Sequence, residues 1–163
     1  MSPTFPALAF HRDVGRYAEE GREKLTNFVD PDDFSMCTSW ELKYGQRLGM
    51  VLVGPDLQGW KVVGVTDLGV VGSFWERVLR FLVQQSTHLI DQQIEPIGPM
   101  TLEQVKDRVA ASILANPDDW RDDEAIAGEA GPPREEQDLL DEMVAAVRAA
   151  ASLPQIIDAL NAE

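Results

Sequence analysis

The chain is predicted to be an α+β protein: an N-terminal helix, a three-stranded antiparallel meander, then a helical C-terminal half. Three observations predict this. Apolar residues recur at helical spacing towards both ends, they alternate at period two across the middle, and most of the acidic charge lies behind the alternating stretch. The 163 residues fit one domain, and 44% hydrophobic with 26% charged residues is the balance of a chain that buries a core. Within that single domain, 1–163, residues 1–97 are expected to form the helix, meander and long-helix core. Residues 98–163 are expected to form an acidic helical part with an irregular segment at 117–133.

The first helix is expected from Arg12 to Val29, because Val14, Tyr17, Ala18, Gly21, Leu25 and Phe28 recur at three and four. Asp30 before Pro31 stops it, since a residue preceding proline is pushed out of the helical region. From Phe34 to Leu42 the pattern changes. Phe34, Met36, Thr38, Trp40 and Leu42 alternate with Ser35, Cys37, Ser39 and Glu41, the mark of a half-buried strand that leaves Cys37 partly exposed. Two further strands, Leu48–Val53 and Trp60–Thr66, flank Gly54, Pro55, Asp56 and Gly59, whose residue types supply a turn.

Ser73 and Glu76 have the spacing of a capping box and open a long helix through Phe74, Val78, Phe81, Leu82, Leu89 and Ile94 to Pro96. This places His88 on a helix. Thr101 and Gln104 repeat the signature before Leu102, Val105, Val109 and Ile113, and Asn116-Pro117 ends that helix. Asp118 to Pro133 contains Gly128, Gly131, Pro132 and Pro133 and reads as an irregular acidic linker. A helix from Glu135 to Ala151 carries Leu139, Met143, Val147 and Ala150, and Ser152 restarts a short one bearing Ile156, Ile157 and Leu160.

The net charge is -14, and it is segregated. Residues 1–90 hold 11 acids and 9 bases, whereas residues 91–163 hold 17 acids and 5 bases. Phosphate surfaces are bound with clustered Lys and Arg, so nucleic acid and membrane are not expected partners. Residues 117–142 concentrate 11 acids against Arg121 and Arg134. Such crowding is either a solvated, solubilising face or a docking surface for a basic protein. On the docking reading the contact residues are Asp118, Asp119, Trp120, Asp122, Asp123, Glu124, Glu135 and Glu136, with Trp120 as the anchor. The run lacks the alternating acids and central glycine of a calcium loop, so no metal is expected there.

A catalytic set is not found. His11 and His88 have no partner at metal-ligand spacing, Cys37 has no base placed beside it, and the glycines at 64, 69 and 72 form neither a dinucleotide nor a phosphate fingerprint. Neither an enzyme nor a cofactor is expected. Trp40, Trp60 and Trp75 fall on periodic apolar faces and are expected in the core. A single cysteine excludes an internal disulfide, and the proline-bearing start Met1 to Phe10 has no basic leader region, so a cytoplasmic setting is expected.

In size, acidity and the order of a small α+β unit before acidic helices, the chain resembles bacterial immunity proteins that neutralise interbacterial toxins. The acidic run Asp118 to Glu124 and the tail Val147 to Ile157 carry the likeness, over the last third of the chain. The resemblance implies a stoichiometric inhibitor of a basic toxin that acts in the cytoplasm, a nuclease being one such target, with the acids occluding the toxin's substrate site. A secretion chaperone or adaptor protein shares the same size and acidity, and a small enzyme is the third class.

Overall fold

The computed structural model describes residues 2–13, 22–72, 86–120 and 136–161. The chain divides into two compact units, Met1–Pro99 and Met100–Glu163.

The first unit is built on an antiparallel sheet. Its strands among the described residues are β1 (Ala7–Arg12), β2 (Glu23–Phe28), β3 (Met36–Thr38), β4 (Val51–Val53), β5 (Gln58–Val70) and β6 (Thr87–Pro99), in the order β2-β1-β4-β5-β6-β3. This overturns the expected N-terminal helix followed by a three-stranded meander: the unit is strand-rich, with six strands in one sheet. Among the described residues two short helices interrupt the strands, α1 (Pro31–Phe34) and α2 (Ser39–Tyr44).

Each local departure has a physical reason. β1 lies between β2 and β4, and Ala7 to His11 are all buried. A strand covered on both faces has no polar alternation to betray it. The helix expected over 12–29 fails at its described parts: Arg12 closes β1, and Glu23–Phe28 forms β2, paired from Ala7↔Phe28 to Arg12↔Glu23. Thr26 and Asn27 are weak helix formers, so the ladder outweighs the helical spacing of Leu25 and Phe28. The part of that helix at 14–21 lies outside the described residues.

Asp30-Pro31 starts a helix instead of stopping one. Asp30 Oδ1 accepts from the backbone N–H groups of Asp32 and Asp33 at 2.8 and 2.9 Å, and Pro31 takes a first-turn position where its missing N–H costs nothing. The strand expected over Phe34–Leu42 shrinks to Met36–Thr38, because Thr38 caps α2. Its Oγ1 accepts from Glu41 N–H at 3.2 Å, and Glu41 Oε2 accepts from Thr38 N–H at 2.7 Å. Gly45, at φ 66, closes α2 in the left-handed region open to glycine. The next strand begins only at Val51, leaving Leu48 exposed.

The β4–β5 hairpin forms where the turn chemistry placed it, and Asp56 Oδ1 accepts from Gln58 N–H at 3.2 Å. The long helix expected to reach Ile94 is overturned from Thr87 onward. Those residues form β6, paired with β5 from Gln58↔Pro99 to Val70↔His88, with register shifts at Gly59/Trp60, Val62/Gly64 and Asp67/Gly69. Bulges of this kind increase the local twist of a ribbon. Ser73, Glu76 and Trp75 lie outside the described residues.

The core of this unit gathers Ala9, Phe28, Phe34, Met50, Leu52, Trp60 and Val62, with Phe28 and Phe34 edge to face at 5.5 Å. Trp60 is buried as expected, but Trp40 is 46% exposed and lies against Tyr44 at 5.0 Å between ring centroids. The α2 cap turns Trp40 out of the strand pattern that had placed it inside.

Among the described residues the second unit has α3 (Leu102–Ala115), a 3-10 turn (Pro117–Trp120), α4 (Glu136–Ala149) and α5 (Leu153–Leu160). These helices lie where periodicity and caps put them. Thr101 Oγ1 accepts from Gln104 N–H at 3.2 Å while Gln104 Oε1 accepts from Thr101 N–H at 2.8 Å. At α5 the Ser152 Oγ accepts from Gln155 N–H at 3.5 Å, and Gln155 Oε1 accepts from Ala151 N–H at 2.7 Å. Val105, Val109 and Ile113 of α3, Leu140 and Val147 of α4, and Leu153, Ile156 and Ile157 of α5 are buried. Lys106, also buried, donates from Nζ to Glu103 Oε1 at 3.0 Å and to the Arg148 carbonyl at 2.9 Å, tying α3 to the end of α4. No helix among the described residues is long and apolar enough to cross a membrane.

Candidate functional site

The residues expected to form an acidic docking surface are only partly within the described structure. Asp118 and Asp119 stand exposed on the 3-10 turn that follows α3, and Trp120 beside them is partly buried. The turn exists because Asn116 ends α3, its side chain donating to the Ser112 carbonyl at 2.8 Å while its own carbonyl accepts from Asp119 N–H at 3.1 Å. Pro117 then sets the turn's first φ. Asp122, Asp123, Glu124 and Glu135 lie outside the described residues; Glu136 opens α4, and its side chain is likewise outside.

Within the second unit the acids outnumber the bases 15 to 5. Two of those bases already answer acids inside the unit: Lys106 pairs with Glu103, and Arg148 with Asp107. Among the described residues no three His, Cys, Asp or Glu side chains gather as metal ligands would.

The first unit holds two polar clusters that spacing alone did not reveal. One surrounds Arg47, whose side chain is buried against Phe28 with its guanidinium carbon 4.6 Å from the ring centroid. Its Nε donates to Glu41 Oε1 at 3.0 Å and its Nη2 to the Met36 carbonyl at 2.8 Å. Nη1 is closed off from the surface and meets no acceptor among the described residues. Beside it a hollow of about 190 Å³ is lined by Glu41, Leu42, Gly45, Arg47, Leu48 and Val65.

His11 belongs to the same cluster. It is buried, with Nε2 3.0 Å from Thr26 Oγ1, and Nδ1 3.2 Å from the Arg12 carbonyl and 3.1 Å from Gln46 Nε2. Each neutral tautomer finds partners for both ring nitrogens. Burial is the main cause that pulls the His11 pKa below its ordinary value; nearby Arg47 and Lys24 act in the same direction, against the Arg12 carbonyl and Glu41.

The second cluster lies on the β5–β6 ribbon. His88 Nδ1 is 3.0 Å from both carboxylate oxygens of Asp67, and its Nε2 is 2.9 Å from Ser86 Oγ. Asp67 Oδ1 also accepts from Gly69 N–H at 2.8 Å. That bond, followed by the bond to His88, lowers the carboxyl pKa below its ordinary value. Cys37 sits opposite His88 in the β3–β6 ladder and is buried, where alternation had left it partly exposed. Burial, then Glu41, pushes its thiol up to about 11.

No family model, curated protein or solved structure matched the chain.

Proposed function

We propose that the chain is a stoichiometric inhibitor of a basic protein, in the manner of a toxin-neutralising immunity protein, and that its C-terminal unit is the docking part. One observation carries this reading. Residues 100–163 bear 15 acids against 5 bases, and Asp118 and Asp119 present theirs on the surface beside the partly buried indole of Trp120. Lys106 and Arg148 offset Glu103 and Asp107 within the unit, and the excess of acids over bases is left on the remaining residues.

Such a surface favours a partner with the opposite potential. Long-range attraction raises the association rate, and a few desolvated anchors supply most of the affinity. Trp120 is the residue suited to anchoring, since a half-covered aromatic gains burial on complex formation without first needing to leave a core. Asp118, Asp119, Asp122 and Asp123 then act on encounter more than on residence time. Occlusion of a toxin's own cationic substrate site follows from the same complementarity.

The test is surface plasmon resonance of the full chain against the purified product of the reading frame adjacent to its gene. The expected result is a one-to-one complex whose association rate falls steeply as ionic strength rises from about 0.01 to about 1 M, where the screening length drops from roughly 30 to 3 Å. Replacing Asp118, Asp119, Asp122 and Asp123 together by Asn slows association while the far-UV spectrum is unchanged. Absence of a complex, or an association rate indifferent to both salt and the four substitutions, rejects the proposal.

A further inference from the structure

The Ser86, His88 and Asp67 side chains form an unbroken chain of hydrogen bonds on the β5–β6 ribbon, and each element of it has a structural cause. Ser86 and His88 are two residues apart where the chain enters β6, so they share a face of the strand. Asp67 reaches them from β5 because that ladder runs Asp67↔Ile90 and then, past the irregularity at Asp67/Gly69, Val70↔His88. The Gly69 N–H fixes one carboxylate oxygen at 2.8 Å, which holds the carboxylate against the imidazole.

The direction of the chain follows from the donors. An ionised carboxylate only accepts, so His88 carries its proton on Nδ1 and donates it to Asp67, leaving Nε2 as the acceptor for the Ser86 hydroxyl. A hydroxyl donating to an imidazole that is itself oriented by a carboxylate is the arrangement that activates a serine for attack on an acyl carbon. Cys37 lies across the ladder from His88 but is buried, and it is the Ser86 hydroxyl that stands 2.9 Å from Nε2.

We propose that Ser86, His88 and Asp67 constitute a nucleophilic acyl-transfer site that accepts short-chain acyl groups from activated esters. Ser86 Oγ bonds to the carbonyl carbon as His88 Nε2 takes the hydroxyl proton, and the carbonyl electron pair moves onto its oxygen. Collapse of that tetrahedral species breaks the bond to the leaving oxygen, which departs with the bonding pair and takes the proton from His88. Water then attacks the acyl-serine with His88 again as base, releasing the carboxylic acid and restoring the Ser86 hydroxyl. Asp67 is a positioning residue: it holds the tautomer and steadies the imidazolium formed in both halves.

The substrate class follows from the surroundings. The N–H groups of Ser86, Ser39 and Val71 are engaged by Ser39 Oγ at 3.4 Å, the Ser86 carbonyl at 2.8 Å and the Thr87 carbonyl at 2.9 Å. None of these three is free to receive an oxyanion, so the acyl donors are esters whose carbonyl is already activated by an electron-withdrawing leaving group. Ser86 is half-buried and the His88 side chain only 15% exposed, so approach to the hydroxyl is narrow and suits a small acyl group.

The proposal is independent of the docking role and is tested on the full chain without any partner. An alkyl fluorophosphonate is expected to form one covalent adduct, located at Ser86 by peptide mass spectrometry. Para-nitrophenyl acetate is expected to release a burst of one equivalent of phenol before slower turnover. Ser86→Ala abolishes adduct and burst; His88→Gln slows acylation roughly 100-fold. Asp67→Asn slows it by on the order of 10-fold or more, with Asp67→Glu recovering part of the loss. Thermal unfolding is followed for each variant, and Ser86→Ala, which removes one hydroxyl and leaves the imidazole in place, keeps the test valid if His88→Gln unfolds. No adduct at Ser86, labelling at the same rate in folded His88→Gln, or undiminished phenol release in Ser86→Ala overturns the proposal.

Discussion

At the scale of single residues, His11 shows how the first unit handles a titratable group in its interior. The ring is enclosed with Thr26, Phe28, Gln46, Arg47 and Met50, and its hydrogen bonds suit the neutral form. A proton added there is disfavoured chiefly by burial, which outweighs the pull of the Arg12 carbonyl, while Arg47 and Lys24 add to the burial effect and Glu41 opposes it. The sign of the linkage follows. The folded state binds this proton more weakly than the unfolded chain, whose imidazole titrates near 6.5, so the stability due to neutral His11 is complete above that pH. It declines as pH falls below about 6.5 and levels off once pH is below the lowered folded value. Urea midpoints measured above and below this pH should therefore fall on acidification in the wild-type protein and fall less in His11→Gln, which keeps a neutral hydrogen-bonding side chain. Equal slopes in the two proteins would remove His11 from the account.

At the scale of elements, the caps decide which parts of the chain declare themselves. Thr101 is the whole N-cap of α3, satisfying one end-group with its hydroxyl while Gln104 returns a second bond. Thr101→Ala is expected to cost about 1 kcal/mol, read as a lower urea midpoint at unchanged slope, and Thr101→Ser to restore most of it. A midpoint unmoved by Thr101→Ala would show that packing of Val105, Val109 and Ile113 alone sets the helix. The same local chemistry explains why the C-terminal helices were legible: Thr101, Gln104 and Ser152 act within one turn, and the apolar stripes behind them are continuous. The strands were not, because their causes lie far off in sequence. β1 shows no alternation because both faces are covered, and β6 is a strand because β5 lies beside it, about 30 residues earlier in the chain. Thr38 and Glu41 did form a readable capping signature, but it fell inside the alternating stretch and the longer pattern prevailed. The Ser86 and His88 pair was hidden for the same reason. Two residues apart on a helix they point away from each other, and only the strand assignment, with the bulge near Asp67, brings the three side chains together.

At the scale of the molecule, the charge division coincides with a division of composition between the two units. Met1–Pro99 carries 13 acids and 9 bases, Met100–Glu163 15 and 5, so the smaller unit bears a net of -10 against -4 for the larger. Acidity as such was plain in the sequence; its use was not, since a solubilising face and a docking face have the same composition. Their energetics differ from those of a neutral surface in one measurable way. Like charges crowded within a screening length of roughly 8 Å at physiological ionic strength repel in the folded state more than in the expanded one, and that repulsion is a standing cost to the fold. Added sodium chloride should relieve it. The melting temperature is expected to rise by several degrees between about 0.01 and about 1 M ionic strength, and to rise distinctly less in the variant with Asn at 118, 119, 122 and 123. The variant should also start from the higher value at low salt. Differential scanning calorimetry of both proteins separates this from a general salting-out of apolar surface, which would move the two melting curves equally. Parallel curves would mean that these four carboxylates lie too far apart to strain the fold, and that the negative surface proposed for docking is more diffuse than their spacing in the chain suggests.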